Sequence, residues 1–92
     1  MISVCIATYN GEKYIGEQIA SILKQLNAND EVIISDDGST DATLSIIKTF
    51  QDSRIRVIPG PQKHSPTLNF ENVLHHAQGD DIFLSDHDDV WK

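Results

Sequence analysis

Three short polar stretches carry the side chains with usable chemistry: Thr8-Tyr9-Asn10, Asp36-Asp37 and Asp86-His87-Asp88-Asp89. Each directly follows a short apolar run. Carboxylates gathered in one place repel one another and raise some of their pKa values unless something compensates them. A divalent cation removes that strain, and clustered oxygen ligands suit Mg²⁺ or Mn²⁺, both of which commonly bridge to phosphates. Each stretch also has a plainer reading. Asp-Gly followed by Ser-Thr is an ordinary turn and helix cap. An acidic run on its own is a solvated surface, and Tyr9 alone would simply cover the end of a sheet. His75 and His76 suit the C-terminus of a helix, where they favour its dipole. His64 reads as loop surface, His87 either as a ligand or as a side chain turned away, and Cys5 as a small core residue.

The elements between these stretches decide the matter. Ile2 to Thr8 reads as a buried strand closed by Tyr9-Asn10-Gly11. Residues 12–26 follow with Ile15, Ile19, Ile22, Leu23 and Leu26 on one helical face, and Asn10 is the candidate N-cap. Residues 31–35 form a second strand. A second helix runs over about residues 41–50, with Leu44, Ile47 and Phe50 inward, Ser39 or Thr40 as its cap and Asp41 in its first turn. Residues 54–58 form a weaker third strand, ended by Pro59-Gly60-Pro61. A third helix spans about residues 68–77, with Phe70, Val73, Leu74 and Ala77 inward and Gly79 as its stop. Residues 81–85 form the fourth strand.

The order β-α-β-α-β-α-β means right-handed crossovers, hence an α/β, Rossmann-like parallel sheet with helices on both faces. Ligands of such sheets bind beyond the carboxyl ends of the strands. All three polar stretches fall on that edge.

Composition excludes several other classes. The chain has 92 residues, enough for a single domain over 1–92. Seven Lys and Arg face fourteen Asp and Glu, a net charge of −7 that argues against a nucleic-acid-binding surface and against a basic interfacial helix. Five of those acids fall within residues 80–89, so the acid excess is concentrated near the end of the sequence. One cysteine leaves no internal disulfide and no multi-cysteine zinc site. Neither a membrane-spanning run nor a signal-peptide pattern is seen, which makes a reducing, cytoplasmic setting the expectation. The sequence has no G-x-x-x-x-G-K-[ST] loop, no G-x-G-x-x-G after the first strand and no G-x-S-x-G elbow.

Taken in order, Val4-Cys5-Ile6-Ala7-Thr8-Tyr9-Asn10, Ser21-Ile22-Leu23-Lys24-Gln25, the run from Glu31 through Asp36-Asp37-Gly38-Ser39-Thr40-Asp41, Asn69-Phe70, Ala77-Gln78-Gly79-Asp80 and Phe83-Leu84-Ser85-Asp86-His87-Asp88-Asp89-Val90-Trp91 resemble the opening of family 2 glycosyltransferases. The resemblance covers essentially the whole chain. It implies a GT-A type fold whose N-terminal part binds the nucleotide of a nucleotide-diphosphate sugar. Ala7, Thr8 and Tyr9 would border the nucleobase, and Asp37 with Asp36 would hydrogen-bond the base or ribose. Asp86-His87-Asp88 would be the Asp-x-Asp motif, with Asp88 on a Mg²⁺ or Mn²⁺ ion and Asp86 on the ribose or the same metal. Such a cation stabilises the charge that develops on a departing diphosphate. Members often carry Pro where Ala7 stands and an acidic residue where Gly11 stands, so the first loop is expected to differ in shape.

The resemblance further implies an inverting transfer from a UDP- or dTDP-sugar to an acceptor saccharide or lipid-linked saccharide, in bacterial surface-polysaccharide synthesis of the rhamnosyltransferase-like branch. The family's acceptor-binding half and its catalytic base follow the Asp-x-Asp motif, and no residue here matches that base. The 92 residues are thus expected to be the donor-nucleotide part of a truncated GT-A fold, without turnover of their own. Association through an open edge at Ile82-Phe83-Leu84 is expected as well. Two alternatives stand beside this reading. One is a haloacid-dehalogenase-like phosphotransferase with Asp86 as nucleophile, and the other a non-catalytic binding or assembly module.

Overall fold

A computed structural model describes residues 1–63 and 65–85. Its elements are β1 (Ile2–Thr8), α1 (Ile15–Leu23), β2 (Glu31–Asp36), α2 (Thr43–Lys48), β3 (Ile55–Pro59), α3 (Pro66–His76) and β4 (Asp81–Ser85). The four strands form one sheet in the order β3-β2-β1-β4, and every pair is parallel. This is the expected α/β architecture, with β1 and β2 central.

Side chains alternate across the sheet, and the two faces are covered by different helices. Val4, Ile6, Val32 and Ile34 pack against Ile15, Ile19 and Ile22 of α1 and Ile47 of α2. Cys5, Ile33 and Ile58 face the other way, onto Val73 of α3, with Phe70 and Ala77 at the margin. Strands buried on both faces need near-continuous apolar runs, which is how β1 and β2 read. Each fully buried Ile or Val contributes roughly 1.5–3 kcal/mol. Among the described residues, no helix is long and apolar enough to cross a membrane.

Several sequence expectations are corrected. The helix expected over residues 12–26 is confined to Ile15–Leu23, and Tyr14 sits at its N-cap without a side-chain cap. Asn10 is not that cap: its Oδ1 accepts from the Thr40 N–H at 2.8 Å, across to the loop after β2. The early N–H groups before α1 find acceptors in that loop and at the start of α2. Gly11 donates to Thr43 Oγ1 (2.8 Å) and Glu12 to Asp41 Oδ2 (3.2 Å), so tertiary bonds replace the local cap. In α2 the N-cap is Ala42, not Ser39 or Thr40, and the helix is only six residues long. Its inward pair is Thr43 and Ile47, four residues apart, which leaves Leu44 exposed. Leu74 of α3 is likewise exposed, because Asn69 and Val73 take the buried stripe. Gly79 does not stop α3 through a left-handed turn. It lies against β1, where its N–H donates to Ser3 Oγ at 2.7 Å and an added Cβ would sit 2.6 Å from that oxygen.

Candidate functional site

The carboxyl ends of β1 and β2 are tied together before the chain turns away from the sheet. The Asp37 N–H donates to the Thr8 carbonyl at 2.9 Å, and the Gly60 N–H donates to the Asp36 carbonyl at 2.8 Å. These bonds bring three loops to one edge. Between them and the first turn of α3 lies a cleft of about 230 Å³. Ala7 of β1 and Tyr9 just after it line one side, Asp37 lies just after β2, and Ser65, the N-cap of α3, lines the other side with Pro66, Asn69 and Phe70 of the helix. Tyr9 is 40% exposed, while Asp37 is 2% exposed. Asp37 Oδ1 accepts from the backbone N–H of Gln62, which fixes the carboxylate.

The α3 side of the cleft is built by ordinary capping. Ser65 is the N-cap and accepts from the Leu68 N–H at 3.3 Å, and Pro66 occupies the start of the helix, where its missing N–H costs nothing. The partial positive charge of a helix N-terminus therefore borders the cleft. Gly60 makes the close approach to α3 feasible. An added Cβ there would lie 2.8 Å from both Asp37 Cα and Asn69 Oδ1. Two aromatic rings, a proline and a fixed carboxylate suit a planar, hydrogen-bonding ligand edge-on to Asp37.

Of the residues singled out from the sequence, Ala7, Tyr9 and Asp37 converge. Thr8 does not reach the cleft with its side chain. By strand alternation its hydroxyl lies on the α1 face, buried and without a hydrogen-bond partner among the described residues; only its carbonyl serves the edge. Asp36 is turned away too. Its Oδ1 accepts from Ser39 Oγ (2.5 Å) and its Oδ2 from the Ser39 N–H (3.0 Å). Ser39 Oγ in turn accepts from the Asn10 N–H at 2.8 Å, so Asp36 secures the loop that follows Tyr9. Gly11 also shapes that loop, since an added Cβ would meet Tyr14 Cζ at 2.6 Å. Asp86 and Asp88 lie outside the described residues, as do His64, His87, Asp89 and Trp91.

The α3 contribution was missed from sequence. The signal was Ser65-Pro66, a cap followed by a first-turn proline, which starts the helix two residues earlier than apolar spacing does and brings its first turn to the sheet edge.

Charge on this edge is held by hydrogen bonds. Burial opposes ionisation of Asp41, but the Thr43 hydroxyl and N–H and the Glu12 N–H outweigh it and hold the carboxyl below its usual range. Among the described residues, no three His, Cys, Asp or Glu side chains converge, so these residues do not form a cation site by themselves.

An open parallel sheet with helices on both faces and a polar, aromatic-walled cleft at its carboxyl edge defines a Rossmann-like α/β protein. More specifically, the chain belongs to glycosyl transferase family 2, whose family model matches residues 3–92. It is 34% identical over 91 residues to the UDP-Glc:alpha-D-GlcNAc-diphosphoundecaprenol beta-1,3-glucosyltransferase WfgD of Escherichia coli, covering 99% of this chain and 36% of that protein. To the dTDP-rhamnosyl transferase RfbG of Shigella flexneri it is 40% identical over 93 residues, covering 94% of this chain and 32% of that protein. Among solved structures, S. aureus TarS (residues 1–349) superposes with a TM-score of 0.87 at 32% identity, covering 97% of this chain and 28% of that one. TarS has also been solved with UDP and with UDP-GlcNAc. The mannosyltransferase PcManGT of Pyrobaculum calidifontis, in complex with GDP-Man and Mn²⁺, gives a TM-score of 0.85 at 26% identity, covering 98% and 28%. The fold is thus that of GT-A-like glycosyltransferases. The chain spans about a third of the length of these curated relatives. With the family established, the phosphotransferase reading of Asp86 is set aside.

Proposed function

We propose that residues 1–92 are the donor-nucleotide-binding part of a glycosyltransferase that moves a sugar from a UDP- or dTDP-sugar to a saccharide or lipid-linked saccharide acceptor. The observation that carries this reading is the convergence of Tyr9, Phe70 and the Asp37 carboxylate in one cleft at the carboxyl edge of the sheet. An aromatic wall takes the flat face of a pyrimidine, and a fixed carboxylate accepts from a ring N–H. Ala7 borders the base. Thr8 and Asp36 act on the site through the backbone and the neighbouring loop.

A Mg²⁺ or Mn²⁺ ion would be held by Asp88 and Asp86, and it would supply positive charge to neutralise the diphosphate. Mn²⁺ in the PcManGT structure supports this part of the reading. The diphosphoundecaprenol-linked sugar in the name of WfgD and the dTDP-rhamnosyl group in that of RfbG support a lipid-linked saccharide acceptor and a nucleotide-sugar donor, and on this reading the enzyme works in bacterial surface-polysaccharide synthesis at the cytoplasmic face of the membrane. The exposed apolar edge at β4 supports a second copy of the chain as a further partner.

Calorimetric titration of the chain with UDP and with dTDP, each with and without Mn²⁺, tests the proposal. Saturable heat with at least one nucleotide, strengthened by Mn²⁺ and no longer so strengthened after Asp88→Ala, is expected. A folded sample that gives no heat with either nucleotide at millimolar concentration refutes it.

A further inference from the structure

We propose that Asn69 is a positioning residue for the nucleotide cleft: its side-chain amide joins the ends of β1 and β2 and thereby sets where Tyr9 and Asp37 stand. The inference rests on the reading of this cleft as a nucleotide site. Asn69 is 3% exposed. Its Nδ2 donates to the Thr8 carbonyl at 3.3 Å and to the Ser35 carbonyl at 3.1 Å, one acceptor on each central strand. Its Oδ1 accepts from Ser35 Oγ at 2.5 Å, which leaves the amide a single orientation. A helix residue thus takes over the ladder where the two strands part.

The acceptors are the ones that matter to the site. Thr8 precedes Tyr9, and its carbonyl also accepts from the Asp37 N–H at 2.9 Å. One oxygen therefore links the peptide leading to the aromatic wall, the amide of the acidic residue and the α3 side chain. Asn72, one turn further along α3, donates from Nδ2 to Ser35 Oγ and to the Pro59 carbonyl, both at 2.9 Å, which holds the hydroxyl that orients Asn69. Only an amide meets these demands. A carboxylate has no hydrogen for the two carbonyls, and a longer Gln would crowd Gly60, whose added Cβ would already meet Asn69 Oδ1 at 2.8 Å.

The test measures UDP binding by calorimetry on the whole chain carrying Asn69→Ala or Asn69→Asp, with thermal unfolding as the check on folding. Asn69→Ala is expected to weaken UDP binding about tenfold while unfolding stays cooperative. Asn69→Asp is expected to be weaker still at about pH 7.5 and to recover toward the alanine variant at about pH 5, where the introduced carboxyl gains a proton to donate. Asp37 after β2 and Tyr9 after β1 are the titratable groups facing the same cleft among the described residues. Affinities are therefore taken as ratios to the unaltered chain at each pH.

Variants that bind within about twofold of the unaltered chain, or an Asn69→Asp ratio flat with pH, overturn the role of Asn69. If Asn69→Ala does not fold, Ser35→Ala carries the test, because it removes the hydroxyl that orients the amide and leaves Asn72 its bond to the Pro59 carbonyl. A weakening of about threefold supports the proposal and an unchanged affinity overturns it. An unaltered chain that binds no UDP refutes the nucleotide reading itself and takes this inference with it. Binding retained equally by every variant refutes the inference alone.

Discussion

The backbone N–H of Asp37 donates to the carbonyl of Thr8 at 2.9 Å, so β1 and β2 stay paired one step past the last residue of β2 before their loops diverge. Tyr9 and Asp37 consequently leave adjacent strands at the same level and line one cleft. Asp37 is the member with a charge to offer. Asp37→Asn keeps an acceptor for the Gln62 N–H but gives up the charge. A hydrogen bond to a charged acceptor is worth about 1–2 kcal/mol more than a neutral one, so UDP affinity should fall about tenfold or more. Calorimetry on the folded variant checks this, and an unchanged dissociation constant removes Asp37 from the nucleotide site.

Asp36 stands next to Asp37 and is expected to behave differently. Its carboxylate is spent on the N–H and hydroxyl of Ser39, which holds the Asn10 N–H. Asp36→Ala should cost stability, about 1–3 kcal/mol, by leaving those donors without their acceptor. Its effect on UDP affinity should be smaller than that of Asp37→Asn. Urea unfolding alongside nucleotide titration separates the two. Full stability with abolished binding would restore Asp36 to the ligand contacts expected from sequence.

That pair marks how far the sequence could be read. The four strands and their parallel order were legible because Val4, Ile6, Val32 and Ile34 alternate with Cys5 and Ile33 in runs that only a sheet buried on both faces explains. That Tyr9 and Asp37 stand together at the carboxyl edge was legible because strand ends fix their place. The side-chain directions of Thr8 and Asp36 were not. Which face Thr8 takes, and whether Asp36 bonds its own loop, depend on side-chain direction at the turn. The helix caps failed for a related reason. Asn10, Asp41 and Thr43 make bonds between the loop after β1 and the start of α2 with its preceding loop, some thirty residues apart in sequence, where local capping rules do not reach.

Asp52 gives the fold an acid-labile link. Its carboxylate receives two N–H groups of the Arg54 guanidinium, at 3.0 and 2.8 Å, and that guanidinium also donates to the Leu23 and Leu26 carbonyls at and beyond the end of α1. The hydrogen bonds from Arg54 pull Asp52 down to about 2. A carboxyl lower in the folded than in the unfolded chain contributes stability above its unfolded pKa of about 3.9, and that contribution is lost as pH falls toward about 2. With both side chains partly solvated, it amounts to about 1–2 kcal/mol. Asp52→Asn should therefore lower stability at neutral pH and flatten the acid limb of the unfolding curve. Parallel acid limbs for the two proteins would refute the link.

Cys5 should be chemically silent. Burial pushes its thiol up to about 11, and the Glu31 carboxylate adds to the effect. The side chain lies in the core against Ile33 and Val73. At about pH 8 a free thiol of ordinary pKa reacts readily with iodoacetamide, because a sizeable fraction is thiolate. In the folded chain alkylation should occur only through unfolding, so its rate should rise with urea in step with the unfolding transition. Prompt alkylation under native conditions would contradict this.

The two edges of the sheet differ, and the difference makes association testable. At β3, Pro59 offers no N–H, and Arg56 reaches across to Glu31 and to the His76 carbonyl. Proline and charge are the ordinary protections of an edge strand. β4 has neither within Ile82-Phe83-Leu84, and these residues are 45%, 47% and 54% exposed. Phe83 lies in register with Val4, and Ile82 and Leu84 with Ser3 and Cys5, so apolar side chains project from both faces of the strand. A second copy pairing along this edge extends the sheet and takes these apolar side chains out of water, against the repulsion of a net charge of −7. Sedimentation velocity should accordingly show concentration-dependent association that strengthens with salt, because screening removes the repulsion and leaves the apolar contact. Leu84→Lys places a charge on the same edge and should return the chain to monomer without unfolding it. A single monomeric species at every concentration, or association indifferent to Leu84→Lys, would show that β4 is not the interface.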